Sequence, residues 1–417
     1  MLIKTDFKKV RDIVFLKDIF TLSLSAFGGP EMHMALFLKK LVHEKKYISE
    51  KDLLELNSLC QILPGPSSTQ TLTSIAFKMG GPKLAFISLL IWILPAAVLM
   101  SAFAISTNYV DPNNFRYIGP MALAFVIMAA LKMTSLLKND LLSVFLALIA
   151  GIVSVAFHTP YIFPILLIFG AYMSANFGNH EFIPNTKPLI NIKWANLSLM
   201  LLILISAATI GILTKSTFPQ LSEPILLFEN TYRMGSMVFG GGNVLYSMVL
   251  TEFVEFKQKQ YLTIQEFNTG IGLLQAIPGP TFCIATYANG IAMKKMGYDV
   301  YGQLMGCGIG TLAIFLPGTL LIFFVYPIWN QLKKYPIVYR SLDGIISVSI
   351  GFVWASAIFM TLPYLKSFGI SKIELKALNI NFIEFSVIFG LSLLYLRYTK
   401  LPAFVLVITT IAVGFLI

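Results

Sequence analysis

Charge is what this chain has least of. Only 12% of its 417 residues are Asp, Glu, Lys or Arg, against about 25% in an average soluble domain. With 56% hydrophobic residues and a mean hydropathy of +0.76, it reads as a bilayer protein. Cysteine and histidine are scarce too, at three and four residues. Cys60, Cys283 and Cys307 lack metal-ligand spacing and fall in apolar sequence, where free cysteines are small core residues. His43, His158 and His180 form no cluster, so no metal and no cofactor is expected. A GxxxxGK[ST] loop is missing, which removes direct use of ATP through that motif. So are HExxH, a DxD-type cluster and a Ser-His-Asp set, and no enzyme chemistry is expected. Period-2 alternation is absent, which excludes a β-barrel.

What is present is a succession of apolar stretches, including 84–105, 141–157, 197–213, 304–325 and 345–360. Several approach the roughly 20 residues that carry a helix across a hydrocarbon core. The expected fold is an all-α polytopic membrane protein with about ten to thirteen membrane helices, in the cell (inner) membrane. The net charge of +11 does not imply nucleic acid. Lysines gather in short tracts between apolar segments, such as Lys39-Lys40 and Lys45-Lys46, as loops that set orientation against anionic lipid do. Lys4, Lys8, Lys9, Arg11 and Lys17 place the N-terminus in the cytoplasm, and Lys17 and Asp18 interrupt what a signal peptide would need.

The chain also repeats itself. Phe27-Gly28-Gly29-Pro30 is followed by Gln61-Ile62-Leu63-Pro64-Gly65-Pro66; Phe239-Gly240-Gly241-Gly242 is followed by Gln275-Ala276-Ile277-Pro278-Gly279-Pro280. Phe27 and Phe239 are 212 positions apart and Pro64 and Pro278 are 214 apart. Further pairs follow: Pro95 with Pro317, Arg116 with Arg340, Pro160 with Pro402. We read a first repeat at 12–177, a polar linker plus one connecting helix at 178–220, and a second repeat at 221–417. The unpaired helix between them would invert the second repeat. Loop charge agrees, because Lys39, Lys40, Lys45, Lys46 and Lys51 face only Lys257 and Lys259 at the matching place.

Paired glycine/proline breaks in apolar helices are the best sequence pointer to a transport site. Irregular backbone survives at membrane depth only where it lines a cavity or is buried in protein. Glycine permits close approach to a ligand, and proline suits the first turn of the resumed helix. That turn aims free N–H groups and partial positive charge into the break, as anion sites do. Candidate substrate-binding residues are Gly28, Gly29, Pro64, Gly65, Pro66, Ser67, Ser68, Gly240, Gly241, Pro278, Gly279, Pro280 and Thr281. The plain alternative is that the hydroxyls cap kinked helices. Glu31 and His33 are candidates for proton coupling, against a helix-start acid and a packed histidine. Arg116 and Arg340 are interface anchors or anion-attracting guanidinium groups.

FGGP-x-x-H, a basic amphipathic hairpin, and Cys60-Gln61 leading into LPGP-x-S, together with FGGG, A-x-P-G-P-T-F and a later Leu316-Pro317, resemble the chromate ion transporter family in its long-chain, two-domain form. The likeness covers essentially the whole chain. It implies chromate efflux, with sulfate as the look-alike ion.

A dianion leaving a cell that is negative inside gains about 4.6 kcal/mol per 100 mV. No set of carboxylates stands out to carry several protons inward. The expected activity is export of a small divalent oxyanion by uniport, exchange or light proton coupling. The rivals are a transporter of another anion, such as a small carboxylate, and a membrane-embedded enzyme acting on lipid or polyprenyl substrates. Sequence leaves open whether the protein works alone or as a homodimer.

Overall fold

The computed structural model describes all residues except 1, 28, 111, 136, 138–139, 158, 160, 179–193, 216–217, 240, 330–335, 368–379, 400, 402 and 417. The described residues are helical, with no strand among them. Among the described residues four helices are long and apolar enough to cross a bilayer, and the chain is an all-α polytopic membrane protein.

In the first half, α1 (Leu2–Ser23) precedes the first break. α2 (Gly29–Phe37) follows it and widens into a π-helix, Leu38–Glu44. α3 (Glu50–Ile62) and α4 (Ser67–Gly80) flank the first PGP. Then come α5 (Pro82–Ser106), α6 (Ile118–Thr134), α7 (Leu141–Ala156) and α8 (Ile162–Phe177). α9 (Ala195–Thr214) joins the two halves and packs on the helices at Pro219–Met237 and Val300–Val325. The second half runs α10 (Pro219–Met237), then α11 (Gly242–Val249) with a π-helix at Leu250–Glu255. α12 (Ile264–Ala276) and α13 (Ile284–Lys295) flank the second PGP. α14 (Val300–Val325), α15 (Pro336–Ser367), α16 (Phe382–Tyr398) and α17 (Ala403–Leu416) complete it. Gly28, Gly240, Pro160, Pro402, His158, His180 and nearly all of the polar linker lie outside the described residues.

Helix starts follow local chemistry. Ser49 Oγ accepts from the Asp52 amide ahead of α3, and Thr263 with Glu266 forms a capping box ahead of α12. The first repeat was read from residue 12; its first helix starts ten residues earlier and ends at Ser23. The π-helices were not expected. Lys45 N–H reaches back to Lys40 O and Phe256 N–H to Thr251 O, a wider turn than the α-helix allows.

Helix pairs around the breaks fold back on themselves. Lys78 Nζ, near the end of α4, lies 2.6 Å from Asp52 Oδ1 in the first turn of α3. The PGP is therefore the tip of a hairpin that returns to the face where it began. Asp18 of α1 pairs with Lys45 at 3.1 Å and accepts from Tyr47 Oη at 2.6 Å, which closes the first hairpin on that same face. In the second half Arg233 of α10 meets Glu252 at 2.5 Å, and Lys295 at the end of α13 donates to Gln260 O ahead of α12.

α5 leaves the first face beside Met79, whose carbonyl accepts from Arg11. It ends where Lys294 Nζ donates to Thr107 O at 2.8 Å and Asn108 Nδ2 to Gln303 Oε1 at 3.0 Å. Gln303 opens α14, so α14 starts where α5 ends. α14 runs back until Tyr326 packs 4.9 Å from Phe77 of α4. The two long helices are antiparallel, and each carries a proline, Pro95 or Pro317, in its interior.

Lys78 beside Asp52 holds that carboxyl below the usual carboxylate range, with Ser49 adding to the effect. The folded-state pKa is depressed, so the pair's contribution is complete above the usual carboxylate pKa and fades as pH falls through the lowered value. Both side chains are partly exposed, 40% and 34%, which limits the pair to less than about 1 kcal/mol. Asp52→Asn is expected to lower the melting temperature slightly at pH 7 and not at all at the acid end of a pH series.

Candidate functional site

The sequence places four breaks in the chain; packing brings each PGP to the other half's FGG. Gly65 N–H donates to Val238 O at 2.7 Å, and Gly279 N–H donates to Ala26 O at 2.8 Å. Val238 precedes Phe239-Gly240, and Ala26 precedes Phe27-Gly28, so the two bonds are exchanged reciprocally between the halves. Gly65 and Gly279 have φ of +120° and +121°, and Gly29 and Gly241 have +79° and +91°. A side chain is strained at each of these angles.

The kinks of the long helices meet the same points. A Cβ on Gly65 would lie 3.3 Å from Gly318 Cα, just after Pro317. One on Gly279 would lie 2.6 Å from Ala96 Cβ, just after Pro95. A Cβ on Gly242 would stand 2.1 Å from Thr281 Oγ1, and one on Gly29 3.9 Å from Thr281 Cγ2. Thr281 thus touches both FGG segments, and glycine at 242 makes room for it.

His33 ties the first FGG to the first PGP. It is fully buried, with Nε2 3.0 Å from Ala26 O and Nδ1 3.0 Å from Ser68 Oγ. A carbonyl only accepts, so Nε2 carries the proton. In the neutral ring Nδ1 is then the acceptor, and the Ser68 hydroxyl donates to it. Ala26 O therefore receives both the His33 proton and the Gly279 amide. Trp92 of α5 stands edge-on to the imidazole at 5.1 Å and donates to Thr69 Oγ1 at 3.3 Å. Ser68→Ala leaves Nδ1 unsatisfied in a dry place; a destabilisation of about 1–3 kcal/mol is expected in thermal unfolding.

The remaining donors are specific. Pro64, Pro66, Pro278 and Pro280 have no N–H. The Gly65 and Gly279 amides are engaged. That leaves the first-turn amides of α4 at Ser67, Ser68 and Thr69 and the Thr281 and Phe282 amides after the second PGP, which the start of a helical turn leaves unpaired, and the half-buried Ser67 and Thr281 hydroxyls. Gln70 Nε2 donates to Pro64 O at 2.8 Å and Gly318 O at 3.3 Å, so its Oε1 is turned away, buried and without a partner.

Several predicted residues stand elsewhere or lie beyond description. Glu31 sits in the first turn of α2, and its side chain lies outside the described residues. Arg116 precedes α6 on the face where α12 begins. Arg340 lies near the start of α15, where its carbonyl accepts from Ser174 Oγ at 2.6 Å. Neither arginine is at the breaks. Sequence reasoning overlooked a buried carboxylate, Glu252, 1% exposed, which Arg233 and Lys259 both reach at 2.5 Å. Glu229 holds Arg233 from the other side at 2.9 Å. The signal was there: Glu229 and Arg233 are four apart in a helix leading to a break. Trp92, Ala96 and Gly318 also escaped notice, because only packing brings them near the breaks. No group of three metal-ligating side chains occurs among the described residues.

A family model described as chromate transporter matches residues 13–175 and 225–415. An uncharacterized transporter of Methanocaldococcus jannaschii is 26% identical over 95% of this chain and 92% of its own length. A chromate transport protein of Pseudomonas aeruginosa is 23% identical over 94% of this chain and 89% of its own. One of Cupriavidus metallidurans is 24% identical over 80% and 79%. No solved structure matches. The two matched segments fall on either side of α9, each holds one FGG and one PGP, and the chain belongs to the chromate transporter family.

Proposed function

We propose that this protein is a secondary transporter that exports a divalent oxyanion, chromate or its look-alike sulfate, through the junction of the four breaks. The observation that carries the reading is the reciprocal pair of bonds, Gly65 to Val238 and Gly279 to Ala26. Two short hairpins from opposite faces meet tip to tip there, at the depth where backbone is otherwise paired within helices. On this reading the halves are inverted repeats, with the lysine-rich first face in the cytoplasm.

The anion is held by the α4 first-turn amides and by the Ser67 and Thr281 hydroxyls. These donors carry no full charge, so a dianion is bound without being trapped. The cross-bonds close the path between the faces. Opening either one exchanges a carbonyl acceptor for the anion, which has only acceptors and competes for the same glycine amide. The relatives from Pseudomonas aeruginosa and Cupriavidus metallidurans carry chromate in their names, which favours a tetrahedral oxyanion over a small carboxylate.

The test is flux in proteoliposomes holding the full chain. Labelled sulfate or chromate is expected to move down its electrochemical gradient, faster with an interior-positive potential on the destination side, and without added ATP. Chemical conversion of the anion, or flux that needs ATP with the potential collapsed, would contradict the proposal.

A further inference from the structure

A small cavity, apolar over most of its wall but holding an arginine and an asparagine, lies on the face where α12 begins. Its walls are Phe115, Arg116, Gly119, Gln265, Asn268 and Tyr364, closed by Ile380. Arg116 is the one charged residue in that lining. Its Nη2 donates to Tyr117 Oη at 3.1 Å, and the guanidinium stacks 4.8 Å from that ring. Its Nε is buried without a hydrogen-bond partner, and no carboxylate pairs with it among the described residues. Asn268 is 1% exposed, and neither its Nδ2 nor its Oδ1 makes a hydrogen bond of normal geometry.

Gly119 keeps the cavity open. A Cβ there would fall 2.0 Å from Tyr364 Oη and 3.3 Å from Asn268 Nδ2. A half-buried guanidinium that no carboxylate among the described residues neutralises is costly, and an unpaired amide beside it adds to the cost. Both costs are relieved by one ligand: a small anion with several acceptor oxygens. A planar guanidinium suits an oxyanion because it donates two parallel bonds.

The opposite face has a cavity built from the matching elements, the start of α3 and the connection after α14. It is lined by Asp52, Glu55, Leu56, Lys78, Tyr326, Pro327 and Trp329. Two carboxylates there outnumber one lysine.

We infer that the Arg116–Asn268–Tyr364 cavity is a second oxyanion station, at the mouth of the path on the α12 face. Asn268 lies ten residues before Pro278 on the same helical hairpin, about 15 Å at the helical rise. The station therefore stands one hairpin's length from the breaks and passes the anion to or from them. The choice of an oxyanion as ligand rests on the transport reading above; the geometry of the cavity does not.

Full-length protein in lipid nanodiscs, carrying Phe115→Cys, provides the test. The three native cysteines are buried, so a thiol reagent reads the new position. An anionic methanethiosulfonate is expected to react faster than a cationic one of similar size. Inorganic sulfate is expected to slow the anionic reagent by about tenfold, the ratio that 1.4 kcal/mol represents. Adding Arg116→Gln should remove both the charge preference and the sulfate effect. Asn268→Ala, which introduces no clash, should weaken the sulfate effect and keep the charge preference. A rate that saturating sulfate leaves unchanged in the parent variant, or a charge preference that survives Arg116→Gln, overturns the inference. Sulfate flux measured on the protein without Phe115→Cys separates the two proposals. Protection without flux keeps the station and removes the transport reading; flux without protection does the reverse.

Discussion

Gly65→Ala and Gly279→Ala should each lower oxyanion flux by at least about tenfold at normal expression. Three effects act together at either site. Alanine at φ near +120° is strained by about 1–3 kcal/mol. The new methyl collides, with Gln70 Nε2 at 2.8 Å in one case and Ala96 Cβ at 2.6 Å in the other. Relief of that collision requires the segment to shift, and the shift stretches the cross-bond to Val238 or Ala26. The collisions differ in kind. Gln70 is a side chain that can swing away, at the loss of its bonds to Pro64 O and Gly318 O, whereas Ala96 is a fully buried residue whose Cβ is fixed to the backbone of α5. Gly279→Ala is therefore expected to be the more severe. Gly390→Ala is the control: a Cβ there meets nothing within 4 Å, and flux should be unchanged. Undiminished flux in both break variants would remove the junction from the mechanism.

Glu252→Ala should destabilise the protein by about 3–5 kcal/mol. The carboxylate is 1% exposed and holds Arg233 and Lys259 at 2.5 Å each. Its removal leaves two half-buried cations with Glu229 as the remaining acid in the cluster, and Lys259 then depends on Asn230 Oδ1 at 2.7 Å. Thermal unfolding followed by size-exclusion in detergent measures the loss. Replacing Lys259 by methionine in the same chain should recover part of it, because one of the stranded charges goes too. A double variant as unstable as the sum of the two singles would show that the charges are not coupled. The cluster clamps α10 to the π-helix beyond α11. The first half does the same job with Asp18, Lys45 and Tyr47, residues of different charge pattern at the matching place.

Much of this was readable in advance. Scarce charge, apolar runs and doubled FGG and PGP breaks settle the fold class, because they follow from transfer free energies and backbone sterics that act within a few residues. Proline after a break and serine or threonine beyond it mark helix restarts, and α4 begins at Ser67 as that chemistry requires. Less readable were the partners of the breaks. Nothing near Pro64 announces Val238, and nothing near Pro278 announces Ala26. Arg116 and Arg340 match in sequence, yet the chain carries them to different surroundings: Arg116 lines a cavity with Asn268 and Tyr364, and the Arg340 carbonyl accepts from Ser174. Asn268 itself gives no local signal, since an asparagine in the second turn of a helix is ordinary.

By itself, the sequence determined that this protein lives in a membrane, is built of helices, and interrupts them at four places with glycine and proline. Tertiary structure alone decided that the interrupted helices double back, that each tip meets the opposite half, and which buried charges answer one another. The division has a physical cause. Burial and backbone conformation are set residue by residue, whereas a hydrogen bond between residues as far apart in the chain as Gly65 and Val238 exists only once every intervening helix has been packed.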